Sequence, residues 1–454
     1  MNRSGHSQHL LREVLRLTWP AVLQGMVATV VFTTDRLIIG RYATEALSAL
    51  AIANPIAWSV TSIFGAFIAG VVAVTGRAVG AGDPGRAAAA LRASLVFAFV
   101  MGLVVSLLAW VIRDPLVALL TGEAVTSAAV RADAAQYLAV VLTSAPLFFI
   151  AATATASLQA AGDTRTPMLI AIVAAVANLG LSWMLVFGQF GAPELGLIGA
   201  AVGTIIASAV QAAGGLLAIR KGRGALRFDA DHDPTERLKV LVTILRVSRA
   251  TLGEKLLYHL AYVASLAIVG HLGNVALAAH ETLLGIEAIG FTAAGGFSIA
   301  AATLVAQNMG RDDASTAYRA GQTAAGLGIL VGLSFGAVLF FFPHHLIGIF
   351  TTDPEVIETG ARCLRIAAFA QPAMILADTW SGALRGAGDT VTPMISALLG
   401  PMLMRLGACW LFAFYFEMGL VGFWIGTTLD WYVRAVWTGT AFYRRRWTET
   451  YRDL

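Results

Sequence analysis

The sequence predicts an all-α membrane protein with twelve transmembrane helices, arranged as two six-helix bundles related by a pseudo-twofold axis along the membrane normal. Three observations lead there. The 454-residue chain is 57% hydrophobic and only 13% charged, whereas soluble domains carry roughly 25% charged residues. Apolar stretches of about 18 residues or more recur along its length, enough to cross a bilayer each time. The chain also repeats itself. Residues 156–168 read ASLQAAGDTRTPM, and half a chain length later residues 382–394 read GALRGAGDTVTPM.

Other matches keep the same order. LIIGRYATEALSAL at 37–50 pairs with AIVGHLGNVALAAH at 267–280, Gly80 and Asp83 with Gly310 and Asp313, and LGLIGAAVGT at 195–204 with MGLVGFWIGT at 418–427. The unit of duplication is therefore a whole half. The repeated motif marks a tight connection, in which a helix runs into Gly-Asp-Thr and Pro167 or Pro393 falls in the first turn of the next helix.

The predicted spans are 14–40, 46–74, 88–112, 132–158, 167–188 and 195–219 in the first half. In the second they are 248–270, 275–303, 317–343, 358–385, 393–415 and 419–442. The domain reading follows: an N-lobe over 1–219, a polar linker of mixed charge over 220–240, and a C-lobe over 241–454. The 46 glycines, with abundant Ala and Ser, suit close helix contact in lipid. An even number of spans per half makes the repeats parallel, and two like bundles with a cleft between them suit alternating access.

Charge placement sets the orientation. Arg3, Arg12 and Arg16 lead into the first span, Arg77, Arg86 and Arg92 flank the second loop, and Arg444, Arg445 and Arg446 follow the last span. This is the positive-inside bias, which puts both termini and the linker in the cytoplasm. It accounts for the formal charge of +4 without a nucleic-acid partner. The first apolar segment carries Asp35 and no evident cleavage site, so it reads as a retained span. Cys363 and Cys409 lie far apart and have no metal-ligand spacing.

An ionisable group inside a span is costly unless it is paired, wet or protonated, and is a functional candidate for that reason. Asp35 lies fifteen residues beyond Pro20. A mid-helix proline permits a bend, so Pro20 is a candidate hinge and Asp35 a carboxylate able to couple protonation to shape. The plainer alternative pairs Asp35 with Arg36 near the surface. The duplicate position is Ser265, so this acid belongs to one half only.

Glu254 and Asp378 each sit roughly 12 Å from the inner ends of their helices at 1.5 Å per residue. They could share a proton or a sodium ion, or one could bridge to a basic group such as the adjacent Lys255. Asp430 and Arg434, four apart on the last span, read as a structural ion pair, and Arg405 as a further neutraliser of an acid. His280, Glu281 and Glu287 form a polar stretch suited to a cleft wall. Asn178 either bonds across helices or helps coordinate a cation.

There is no GxxxxGK[ST] loop, so ATP is not the predicted energy source. No HExxH motif or cysteine cluster marks a metal enzyme. An ion gradient remains, with these acids as its handle.

With these features in place, the chain resembles the multidrug and toxic compound extrusion (MATE) transporters, and within them the NorM-type branch. The resemblance rests on the two six-span repeats, VFTTDRLIIGR around Asp35, the paired GDTxTPM segments, and ANLGLSWMLVFGQFGAPELGLIGA at 177–200. It implies a non-enzymatic plasma-membrane antiporter, in the inner membrane of a Gram-negative cell, that exports small amphiphilic and often cationic drugs against H+ or Na+. No cofactor beyond that ion and no ATP are expected, and the unit is expected to be a monomer in the lipid bilayer. By motif position Asp35 resembles the family's first-helix acid, Asn178 its fifth-helix amide, and Glu254 with Asp378 the acidic pair of helices seven and ten. The chain departs from the family pattern at Ser182, where a second N-lobe acid would stand, and at Lys255 beside Glu254. Two other functions fit less well. A flippase for lipid-linked glycans calls for a cleft rich in Arg and Lys. A polytopic membrane enzyme calls for polar clusters at one face.

Overall fold

The structure, a computed structural model, describes residues 3–120, 127–222, 226 and 234–450, and every regular element among them is helical. Residues 223–225 and 227–233 of the 220–240 linker, and 121–126 of the loop after the third span, lie outside the described residues.

The first half contains α1 (Arg3–Tyr42), α2 (Thr44–Gly80), α3 (Pro84–Leu120), a broken α4 (Ala128–Leu142 and Ala145–Ala160), α5 (Arg165–Phe187) and α6 (Leu197–Arg220). The second contains α7 (Pro234–Gly270), α8 (Asn274–Gly310), α9 (Ala314–Phe341), α10 (Pro354–Ala387), α11 (Val391–Tyr415) and α12 (Gly419–Tyr443). Each predicted span has its helix. Nine of the described helices are long and apolar enough to cross a membrane, and α4 makes ten if its two pieces, bent by 47°, count as one span. The other two, α10 and α12, are diluted by Asp378, Arg385, Asp430 and Arg434. Their polar residues face protein: Asp430 is fully buried and Arg434 is only 6% exposed.

The repeated motifs are turn chemistry. After α4, Gly162 takes φ +88° and Asp163 Oδ1 accepts from Thr166 N at 2.9 Å. After α10, Gly388 takes φ +98° and Asp389 Oδ1 accepts from Thr392 N at 3.0 Å. The left-handed glycine ends one helix, and the aspartate caps the free N–H groups that open the next. The other matched pair works alike: Asp83 Oδ1 accepts from Arg86 N at 2.9 Å, and Asp313 Oδ1 from Thr316 N at 2.8 Å.

Contacts divide the chain into two compact units. One joins Met1–Val22, Val72–Gly82 and Thr243–Leu454; the other joins Leu23–Val71 and Asp83–Val242. The first helix thus changes unit between Val22 and Leu23, just past Pro20, while its α-helix continues unbroken. Within the larger unit the duplication is visible as a reciprocal crossing. A Cβ on Gly80 would strike the Gln307 carbonyl, and one on Gly310 would strike the Arg77 carbonyl. Arg77 also donates through Nη2 to the Ala387 carbonyl at 2.9 Å.

Small residues at four-residue spacing seat the helices of this unit. Gly382 and Gly386 on α10 meet the Ser298 and Ala302 carbonyls of α8, and Gly332 and Gly336 on α9 meet Pro372 and Ala368 of α10. Lipid tails are as apolar as leucine, so close backbone approach, rather than apolar burial, is what favours helix pairing here. The α11 segment departs from the α form, with π-helical turns at Leu398–Arg405, which contains Pro401, and at Leu411–Tyr415.

Two glycines on α9 test this packing. A Cβ at Gly332 would lie 2.7 Å from Pro372 Cα, whereas Gly326 has nothing within 4 Å. We expect Gly332→Ala to destabilise the folded protein by about 1–3 kcal/mol and Gly326→Ala to be neutral or slightly stabilising. Thermal unfolding in detergent separates the two, and equal melting temperatures would refute the packing assignment.

Candidate functional site

Polar groups within the spans gather in two places, one in each unit. The first is a cavity of about 380 Å³ in the unit built from residues 23–71 and 83–242. Asp35, Asn54, Tyr137, Asn178 and Gln211 line it, with Trp58, Phe148 and Phe149 supplying apolar wall. Asp35 sits well within α1 and is half-buried. Asn178 on α5 is 2% exposed. The carboxamide orientation that satisfies both of its ends puts the amide nitrogen 3.3 Å from Asp35 Oδ1 and lets the carbonyl accept from Thr204 N at 3.2 Å. No cation lies within 4 Å of the Asp35 carboxylate among the described residues. Arg36, the alternative partner read from the sequence, turns away and stacks over the Phe32 ring at 4.4 Å.

The second place is a network of paired charges in the other unit. Arg385 Nη1 donates to both oxygens of Glu254, at 3.0 and 3.1 Å, and Arg385 Nη2 reaches Ser298 Oγ at 3.5 Å. Arg434 Nη2 lies 3.5 Å from Asp378 Oδ1, and its guanidinium stacks 4.1 Å over Trp431. Arg405 grips Asp430 Oδ2 through Nη2 at 2.6 Å and Nε at 2.8 Å. Lys255 lies within electrostatic range of Glu254 and Asp378.

This geometry corrects one reading of the sequence and gives partners to the residues of another. Asp430 and Arg434 do not pair with each other: the π-helical turn of α11 brings Arg405 onto Asp430, and Arg434 swings to Asp378 on α10. Glu254 and Asp378 each face a basic group in this structure. Both Glu254 oxygens already accept from Arg385, Asp378 faces Arg434, and Lys255 adds a further positive charge.

The predicted polar stretch on α8 also separates. His280 is buried between Phe423 and Trp424, with ring centroids at 5.2 and 5.6 Å, and Glu287 is buried and accepts from Gln371 Nε2 at 3.1 Å. Glu281 is exposed. Positions seven apart share a helix face while adjacent positions diverge by about 100°.

Arg385 was not among the residues singled out from the sequence, yet the duplication contains its signal. In the paired motifs ASLQAAGDT and GALRGAGDT, Gln159 stands where the second half has Arg385. Gln24 likewise falls in register with Glu254 when α1 is matched to α7. In the structure Gln159 Nε2 donates to Gln24 Oε1 at 3.2 Å. One half thus holds a neutral amide pair where the other holds an ion pair.

The comparisons with known proteins agree with this architecture. The MatE family model matches residues 20–184 and 250–411. A probable multidrug resistance protein NorM of Rhodopseudomonas palustris is 30% identical over 448 residues, covering 96% of this chain and 92% of that protein. Its counterpart of the same description from Thermotoga maritima is 29% identical over 432 residues, covering 92% and 89%. Among solved structures, a Vibrio cholerae MATE transporter superposes with a TM-score of 0.89 at 20% identity, covering 99% of this chain and all of that one. An outward-facing multidrug resistance MATE transporter superposes at 0.88 and 19% identity, covering 96% and 98%. With both halves matched and relatives aligned nearly end to end, the chain is a member of the MatE family of multi-pass membrane transporters.

Proposed function

We propose that this transporter exports small amphiphilic, often cationic compounds in exchange for protons, and that Asp35 is the group that takes up the proton. The observation carrying this reading is the contrast between the two polar sites. Glu254, Asp378 and Asp430 of the second half each face a guanidinium, whereas Asp35 lines a cavity with the neutral Asn178 and Ser182 beside it and no cation within 4 Å among the described residues. A carboxylate partly removed from water and lacking a counter-charge binds a proton more readily than one held by arginine. An organic cation entering the same cavity would compete for that negative charge, so proton and cargo exclude one another. Such competition is the thermodynamic requirement for exchange. The cavity's aromatic wall suits a flat apolar cargo.

Pro20 supports a hinge role, because α1 passes from one compact unit to the other just beyond it. Protonation of Asp35 would bias the bend there and release the cargo outward. On this reading the transporter works as a monomer in the plasma membrane with both termini cytoplasmic, and Glu254, Asp378 and Asp430 hold helices together without carrying the coupling ion. The named relatives, described as multidrug resistance proteins, favour drug export over glycan flipping.

Four outcomes test the proposal. Proteoliposomes given an inward proton gradient should accumulate or expel a fluorescent organic cation, while a sodium gradient at equal pH should not; sodium-driven flux without a pH gradient would overturn proton coupling. Asp35→Asn should lower export by on the order of tenfold or more while the protein still reaches the membrane, and resistance at the wild-type level would reject the assignment. Glu254→Gln should leave Arg385 without its anion and cost about 3 kcal/mol of stability. In the unmodified protein, replacing choline by sodium should leave the melting temperature unchanged, because a bound ion would raise it.

A further inference from the structure

Two apolar grooves run along the C-terminal part of α12, one on each side. The first, about 680 Å³, lies between α11 and α12 and includes Thr392, Met404 and Trp437. The second, about 740 Å³, lies among α9, α10 and α12 and includes Leu333, Trp380 and Tyr443. Tyr432, Val436, Thr440 and Arg444 line both grooves. These four stand at four-residue intervals, so they form one ridge along the helix, with an exposed arginine at its end.

The ridge spans roughly 18 Å at 1.5 Å per residue, close to the roughly 15 Å hydrocarbon depth of one leaflet. Its upper part is exposed and apolar: Val436 is 66% and Tyr432 44% accessible. At its end the next arginine, Arg445, stacks over the Tyr318 ring at 3.5 Å, leaving Arg444 at the mouth of both grooves and Arg446 at the mouth of the first. Asp389, the acid in the first groove, accepts from the Thr392 N–H and hydroxyl.

We propose that this ridge is a binding site for one anionic diacyl phospholipid, its two acyl chains straddling α12 in the two grooves and its phosphate held by Arg444. Two grooves of similar volume that share one cation, Arg444, match a molecule with two chains and one negative head. A guanidinium pairs with phosphate through parallel N–H donors, and a zwitterionic head offsets that attraction with its own cation. Basic positions between membrane helices at the interface recognise anionic lipid on this principle. The site lies apart from the Asp35 cavity and does not depend on which ion drives transport.

Native mass spectrometry of the delipidated full chain tests the site, using phosphatidylglycerol and phosphatidylcholine with the same acyl chains. Phosphatidylglycerol should bind about fivefold more tightly, the effect of one arginine near an anionic head. Arg444→Gln should abolish that preference and Arg444→Lys should keep most of it, which controls for folding. Val436→Trp, which fills the ridge, should weaken both lipids, and single-chain lysophosphatidylglycerol should bind less well than the diacyl form. Equal binding of the two diacyl lipids, or a preference surviving Arg444→Gln, would overturn the proposal. So would displacement of the lipid by inorganic phosphate, which would mean a simple anion site.

Discussion

A charge inside a bilayer-spanning helix must find a partner, water or a proton, and this constraint shapes the interior of the protein. In the second half it is met by pairing. Glu254, Asp378 and Asp430 meet Arg385, Arg434 and Arg405, each partner on a different helix from its acid. The two helices with the largest share of these charges, α10 and α12, are those that fall short of the apolarity expected of a span. They tolerate it because their charged faces are turned toward one another and toward α7 and α11. In the first half the constraint is met differently, because Asp35 faces a cavity with no arginine or lysine among the residues that line it.

The duplication makes this contrast interpretable. Both halves use the same connections, down to the left-handed glycine and the capping aspartate at Asp163 and Asp389. At the matched contact between the first and fourth helices of each half, Gln24 with Gln159 becomes Glu254 with Arg385. An amide pair and an ion pair serve the same joint, the second with stronger and more directional bonds. Where the halves differ further, as at Asp35 and Ser265, the added charge has no counterpart to balance it. One scaffold has thus been used twice, once with its acids paired to arginine and once with an acid that has no cation within 4 Å among the described residues.

Much of the fold could be read from residue order. Apolar length located most of the spans, and the Gly-Asp-Thr repeats located the turns, because both signals are local. Partner choice was not legible, since it depends on how helices rotate against one another. Asp430 and Arg434 have the spacing of an internal pair, yet the π-helical turn that contains Pro401 brings Arg405 to Asp430 instead. Glu254 and Asp378 lie at similar depth, a real feature of the sequence, but depth does not reveal the arginine that each faces. Asp35 and Asn178 lie far apart in sequence, and their approach depends on how α1 and α5 pack.

The central claim is that one carboxylate, Asp35, exchanges its proton for cargo while the remaining acids stay paired. The proton count on cargo binding tests it most directly, measured with purified protein in weakly buffered detergent solution as an organic cation is titrated in. The unmodified protein should release about one proton per bound cation, as linkage requires of competing ligands. Glu254→Gln should release the same number, and Asp35→Asn should bind without releasing any. Proton release that persists in Asp35→Asn, or that vanishes in Glu254→Gln, would contradict the claim.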